Sequence, residues 1–287
     1  MISSRALLAG LCLAAITTPA LAATPPAKPS VAAKPSEKDW RTPAPDTVMV
    51  IDTNKGRVLV ELVPEVAPNH VARLQDLTRA GLYDGRTFFR VIDKFMAQTG
   101  DPTNTGEGGS DRPNLKAEFT FRRNAETAFV AMAAPAGLEV GYIKSLPVVS
   151  QAWSWSDMTS DKKVSAWGTY CPGVIGMARD EDNNSANSQF FLMRQPYPSL
   201  DKRYTAFGRV ISGLSAVRAI KTGEPVPAPQ DQMQKVRLLS DIPESERPKV
   251  RVIDPKSAWF AAETKRLRAL KGADFSVCDI DLPVVID

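Results

Sequence analysis

Histidine is nearly missing from this sequence of 287 residues, with His70 its single example. Nucleophilic catalysis by a serine–histidine or cysteine–histidine pair, and metal sites built on imidazole, would all have to pass through that one side chain. We read His70 instead as a surface or helix residue. Long basic runs are lacking too. There are 36 Lys and Arg against 32 Asp and Glu, a net charge of +4, and no five cations stand together to grip a phosphate backbone, so no nucleic-acid partner is expected. A phosphate-cradling loop is also absent: TGEGG at 105–109 is rich in glycine but lacks the lysine and following helix that such a loop needs.

Apolar runs long enough to cross a membrane are missing, since none approaches the roughly 20 residues required. The stretch over 6–16 falls short of that length. With Arg5 before it and Ala20-Leu21-Ala22 after it, it reads as an export signal over 1–22, cleaved near Ala23. No stable membrane insertion is expected once it is removed, and the protein is placed in the periplasm or outside the cell. Cys12 follows Leu11 without the small residue expected before a lipid-modified cysteine, which disfavours lipid anchoring. Removal of the signal leaves Cys171 and Cys278. An exported pair can close a disulfide or stay as two thiols, and the sequence leaves both open.

What is present is ordinary for a globular protein: 43% hydrophobic and 24% charged residues, enough for a sizeable core. Residues 23–46 are rich in proline and alanine without apolar periodicity, as expected of an extended linker with little order. Order is predicted to begin at Thr47. TVMVIDT and RVLVELV flank an Asn54-Lys55-Gly56 turn and read as a hairpin. Val71, Leu74 and Leu77 then carry helical spacing over 67–80, ending at Gly81. Short strands are predicted over 87–92, 95–98, 173–178, 188–193, 206–210 and 234–240, with a second helix over 217–221. Many short strands with little helix point to a closed barrel. Beyond Asp241 a proline-rich connection, a strand over 250–253 and a helix over 257–270 with Ser257 as N-cap form a small α/β C-terminal extension, 241–287.

Three segments carry the functional signal: Phe88-Phe89-Arg90-Val91-Ile92 with FMAQTGD at 95–101; GVIGMA at 173–178 with Asn187-Ser188-Gln189-Phe190-Phe191; and Leu200-Asp201 with Tyr204 and Phe207-Gly208. In this order they resemble the cyclophilins, over a span of about 47–240. The resemblance implies a mainly β fold, an eight-stranded antiparallel barrel capped by two helices, with the active site in a groove on its outer face. It places the catalytic arginine at Arg90 and a proline pocket at Phe95, Met96, Phe191 and Leu200. Gln98 matches the groove glutamine, Tyr204 fills a position often held by histidine, and Ala178 and Arg179 match positions that bind substrate backbone.

These residue types suit the implied reaction, peptidyl-prolyl cis/trans isomerisation. Rotation about an X-Pro amide is opposed by about 18–20 kcal/mol because the nitrogen lone pair is delocalised into the carbonyl. In the twisted state that nitrogen is pyramidal and basic, and a guanidinium can donate to it better than to the planar ground state. An apolar pocket anchors the ring while the carbonyl side turns. No cofactor, proton transfer or metal is needed. Taken alone, Arg90 would be an ordinary strand arginine and each phenylalanine a core residue; their joint register is what changes the reading. Alternation along Gln189-Phe190-Phe191-Leu192 sends one phenylalanine into the barrel and the other to the groove, and the motif assigns Phe191 to the groove.

The partners expected are unfolded or partly folded proline-containing chains, whose folding the activity assists; the alternative is a peptide-binding or holdase module with little turnover. Ser199 stands where the family often has an aromatic residue, so cyclosporin-type inhibitors are expected to bind weakly. The acidic loop from Arg179 to Ser185 favours basic residues around the target proline. An insertion at about 121–170 contains Trp153, Trp155 and Trp167, which we read as a local hydrophobic cluster before a partner surface.

Overall fold

The computed structural model describes residues 34–287, so the signal at 1–22 and most of the predicted linker lie outside the described residues. The rest of that linker is a correction to the sequence reading. Instead of running loose to Asp46, the chain turns through a 3-10 segment at Glu37–Asp39 into strand β1 (Trp40–Arg41), whose Trp40 pairs with Ile253 more than 200 positions away. Arg41 then reaches the buried carboxylate of Glu61, at 2.5 and 2.7 Å through both terminal nitrogens. A two-residue strand has no periodicity to read, and its partner is remote.

The hairpin forms as expected. Strands β2 (Val48–Thr53) and β3 (Gly56–Leu62) pair antiparallel from Val48 opposite Glu61 to Thr53 opposite Gly56, which takes φ +127° in the turn. Helix α1 (Pro68–Arg79) follows, opened by a proline that has no amide hydrogen to leave unpaired. It buries Val71, Leu74 and Leu77, and Gly81 leaves it at φ +71°. His70 also lies on α1 and is buried, its Nδ1 2.7 Å from Glu118. That carboxylate also accepts from the backbone N–H groups of Asn69 and His70, satisfying the open first turn of the helix.

After β4 (Arg90–Ile92) and β5 (Met96–Thr99) the chain leaves for the insertion. This forms a second antiparallel sheet of β6 (Phe121–Arg123), β7 (Phe129–Ala133), β8 (Leu138–Ile143), β9 (Leu146–Gln151) and β10 (Val164–Gly168), in the order β6-β10-β9-β8-β7. Its three tryptophans do not cluster as expected, and two of them lie under separate cations. Trp153 lies under the Arg123 guanidinium and Trp167 under the Lys202 ammonium, while Trp155 is 43% exposed. The main sheet resumes with β11 (Val174–Met177), β12 (Phe190–Met193) and β13 (Ala206–Ser212), then a short helix α2 (Leu214–Ala219) and β14 (Met233–Leu238).

The eight main strands run β14-β2-β3-β13-β11-β12-β5-β4 and curl into an open sheet, not the closed barrel the sequence suggested. The edge strands β4 and β14 share no ladder. The outer edge of β4 is already occupied, because Val91 and Gly223 exchange two backbone hydrogen bonds of 2.8 Å. The gap is spanned by irregular chain, with Gly85 and Phe88 donating to the carbonyls of Met233 and Asp231. Inside the curl, α1 and α2 cover a core that includes Ile51, Leu62, Leu74, Phe88, Phe190 and Phe207.

The C-terminal extension supplies β15 (Val250–Ile253), helix α3 (Ala258–Lys271) and β16 (Val284–Ile286), which join β1 in a sheet ordered β1-β15-β16. Ser257 caps α3 as predicted, its hydroxyl accepting from the N–H of Phe260. Cys171 and Cys278 are joined as a disulfide, tying the extension to the main sheet. A second apolar core lies between the outer face of that sheet, the insertion and α3, and brings Met96 and Phe191 together with Tyr142, Val148, Phe260 and Ile280. Among the described residues no helix is long and apolar enough to cross a membrane.

Candidate active site

Period-two alternation builds the site. On β5, Met96 and Gln98 face outward while Ala97 turns into the main core; on β12, Phe191 faces outward while Phe190 turns inward and meets Tyr83 edge to face at 5.3 Å. Phe191 stands opposite Gln98 in the ladder, and Gln98 stands opposite Arg90 of β4. Three short strands thus place a phenylalanine, a glutamine and an arginine in one row across an open cleft of about 550 Å³. The division of Phe190 and Phe191 is the one read from the sequence.

The apolar end has Phe95, Met96, Phe191 and Leu200 as its walls. Phe95 leans on Tyr197 at 4.5 Å between ring centres. Phe191 is clamped between Tyr170, stacked at 5.8 Å, and Tyr204, edge-on at 5.9 Å. Beneath it β11 carries Gly176, where an added Cβ would come within 2.6 Å of both the Phe191 ring and the Tyr170 hydroxyl. Only glycine lets the aromatic layer settle this low. Ala178 and Arg179 complete that wall; the Arg179 guanidinium lies 4.6 Å over the Tyr204 ring and donates to the carbonyl of Arg203.

The polar end is a hydrogen-bonded chain. Arg90 donates through Nε to Glu224 at 2.6 Å and through Nη1 to Gln98 at 3.2 Å. Gln98 donates to Gln189 at 2.9 Å, and Gln189 donates to the carbonyls of Gly106 and Gly108. Those glycines belong to the loop TGEGG, which forms the rim instead of a phosphate cradle. Asp101 pins that loop by accepting from the N–H groups of Thr103, Thr105 and Gly106. Burial alone would push its carboxyl up, but the donations from Thr103 and Gly106 outweigh it and hold the group below the usual carboxylate range.

All nine residues named from the sequence, from Arg90 to Tyr204, line this one cleft. Phe89 and Glu107, read from the sequence only as members of a motif and of the glycine-rich loop, also line it, as do Glu224 and Pro225, which were not singled out. Glu224 lies 134 positions from Arg90, in a proline-rich connection with no periodic signal. The clue available was the strand-like Thr87–Ile92 run, whose outer edge needs some partner.

The family of the chain is given by its likeness to known proteins. Residues 48–240 match the family described as cyclophilin type peptidyl-prolyl cis-trans isomerase/CLD. The chain belongs to the cyclophilins. A probable peptidyl-prolyl cis-trans isomerase of Brucella suis is 34% identical over 190 residues, covering 62% of this chain and 74% of that one. The peptidyl-prolyl cis-trans isomerase-like 1 of Gibberella zeae is 29% identical over 199 residues, 68% of this chain and 96% of its own. The crystal structure of cyclophilin AquaCyp293 from Hirschia baltica superposes with a TM-score of 0.81 at 32% identity, covering 88% of this chain and 98% of that one. That coverage exceeds the 48–240 span, so the likeness to this cyclophilin reaches into the segments outside it. The activity is therefore that of a cyclophilin-type peptidyl-prolyl isomerase.

Proposed function

We propose that Arg90 is the catalytic donor of this isomerase and that Phe95, Met96, Phe191 and Leu200 hold the proline ring of an X-Pro substrate. The observation that carries this reading is the position of one guanidinium, fixed on two sides, at the mouth of an apolar pocket. Its Nη2 has no partner among the described residues and can donate to the prolyl nitrogen as that atom becomes pyramidal. Gln98 and Gln189 set the guanidinium plane, and the Ala178 and Arg179 wall supports the peptide backbone. A hydrogen bond from a charged donor contributes about 1.5–3 kcal/mol, so Arg90→Ala should lower kcat/KM about ten- to hundredfold.

The clients proposed are exported chains folding in the periplasm or outside the cell. The signal-like sequence at 1–22 and the Cys171–Cys278 disulfide, a bond that persists in oxidising compartments, support this. Ser199, in the Pro198–Leu200 turn, offers no ring to a cyclosporin-type macrocycle, and weak inhibition is expected. The exposed Arg179–Ser185 loop supports a preference for basic residues beside the proline, which a peptide panel varying only flanking charge would refute by showing equal rates. The deciding assay is the cis-to-trans rate of an X-Pro tetrapeptide with the mature protein and its Arg90→Ala variant. Equal inactivity of both, with peptide binding retained, would favour the holdase reading, for which Trp155 and the 76% exposed Met158 of the insertion offer an apolar contact.

A further inference from the structure

Glu224 stands outside the three motif segments, yet its carboxylate is 2.6 Å from the Nε of Arg90. Its backbone is fixed relative to that arginine. The loop that carries it lies along the outer edge of β4, where Val91 and Gly223 exchange two hydrogen bonds and Val226 donates to the carbonyl of Phe89 at 2.8 Å. Gly223 makes the bend tight, since an added Cβ would come 2.7 Å from both the Pro225 carbonyl oxygen and the Pro227 ring. Two acceptors, Glu224 on Nε and Gln98 on Nη1, therefore grip the planar fork from two different elements.

We propose that Glu224 is a positioning residue for the isomerase reaction, holding the Arg90 guanidinium in the plane that presents Nη2 to the prolyl nitrogen. The inference rests on the reading of Arg90 as donor. An unrestrained arginine on an open rim samples many rotamers, and an acceptor at Nε removes most of them before substrate arrives. The ion pair is exposed, 39% at Arg90 and 56% at Glu224, so it adds little to folding stability. Its removal should thus be felt in turnover and not in melting. Orientation needs an acceptor at that point and not a charge, so an amide oxygen should substitute for the carboxylate.

The test is steady-state isomerase kinetics of Glu224→Ala and Glu224→Gln, each alone and combined with Arg90→Ala, with melting curves and 15N-edited spectra of the arginine Nε–H groups. Glu224→Ala should lower kcat about three- to fivefold with KM unchanged, the range an exposed ion pair can supply. Glu224→Gln should regain most of that loss. Neither substitution should matter once Arg90 is alanine, because the effect runs through it. The Arg90 Nε–H signal should be protected from exchange in wild type and the glutamine variant and lost in the alanine variant. An unaltered kcat in Glu224→Ala beside an impaired Arg90→Ala would overturn this inference alone, as would a loss that persists in the double variant. Full activity in Arg90→Ala would overturn the donor reading and this inference with it.

Discussion

Arg41→Met tests whether the segment before the first hairpin is structural. Arg41 is 18% exposed and its partner Glu61 only 1%, and the two meet through paired hydrogen bonds of 2.5 and 2.7 Å. Glu61 also accepts from the backbone N–H of Ser145, in the turn between β8 and β9. One carboxylate on β3 thus ties both the N-terminal segment and the insertion to the main sheet. Removing the guanidinium leaves a buried carboxylate with a single N–H donor, a change that costs about 3–5 kcal/mol where no donor remains. The Ser145 contact places the expected loss near the lower end, about 3 kcal/mol, or a fall in Tm of roughly 6–12 °C for a domain of this size. Adding Glu61→Gln removes the stranded charge while keeping an acceptor for Ser145, so the double variant should be more stable than the single. Urea unfolding followed by tryptophan fluorescence measures both. A loss below about 1 kcal/mol for Arg41→Met would mean that the pair behaves as a surface ion pair, and the structural reading of residues 34–46 would fail.

Further expectations follow from other contacts. Burial would raise the Glu118 carboxyl, but donations from the His70 ring and from the His70 and Asn69 backbones prevail and hold it below its usual range. A group whose pKa is depressed on folding contributes stability that is present above the unfolded carboxylate range and lost as pH falls through its folded value. Tm should therefore drop on acidification below about pH 4, and the slope should flatten in Glu118→Gln; identical pH profiles would refute the assignment. Gly176→Val forces atoms into the Phe191 and Tyr170 rings, and should lower kcat/KM by roughly tenfold or more with far-UV dichroism intact, because small misplacements at a site are costly in rate. Reducing the Cys171–Cys278 disulfide, which spans a sequence separation of 107, should lower stability by up to about 4–5 kcal/mol. Unchanged denaturation midpoints with and without reductant would argue against that contribution.

The parts of this fold that the sequence revealed are those with a short-range cause. The hairpin over 48–62 followed from alternation around Asn54-Lys55-Gly56, and α1 from three apolar residues at helical spacing with glycine after them. The division of labour between Phe190 and Phe191 followed from strand geometry once the motif set the register. What stayed hidden depends on distant partners. β1 exists because β15 offers it an edge, and the open seam of the main sheet exists because residues near Gly223 occupy the edge that β14 would have needed. Within the insertion β6 shows little strand signal of its own: it is a run of one aromatic and two arginines, and the neighbouring β10 makes it a strand. Glu224 was hidden for the same reason, since its significance lies wholly in what the fold sets beside it.

The second apolar core changes what counts as the catalytic unit. Met96 and Phe191 line the cleft on one side and, on the other, share that core with Tyr142 of the insertion and Phe260 of the tail helix. Cutting this chain back to the span common to its relatives would thus strip the backing from its own cleft and leave wet a flank that the rest of the molecule keeps dry. Heredity has room to act there: a substitution far along the tail, touching no substrate, could retune the enzyme by shifting the wall on which its pocket leans.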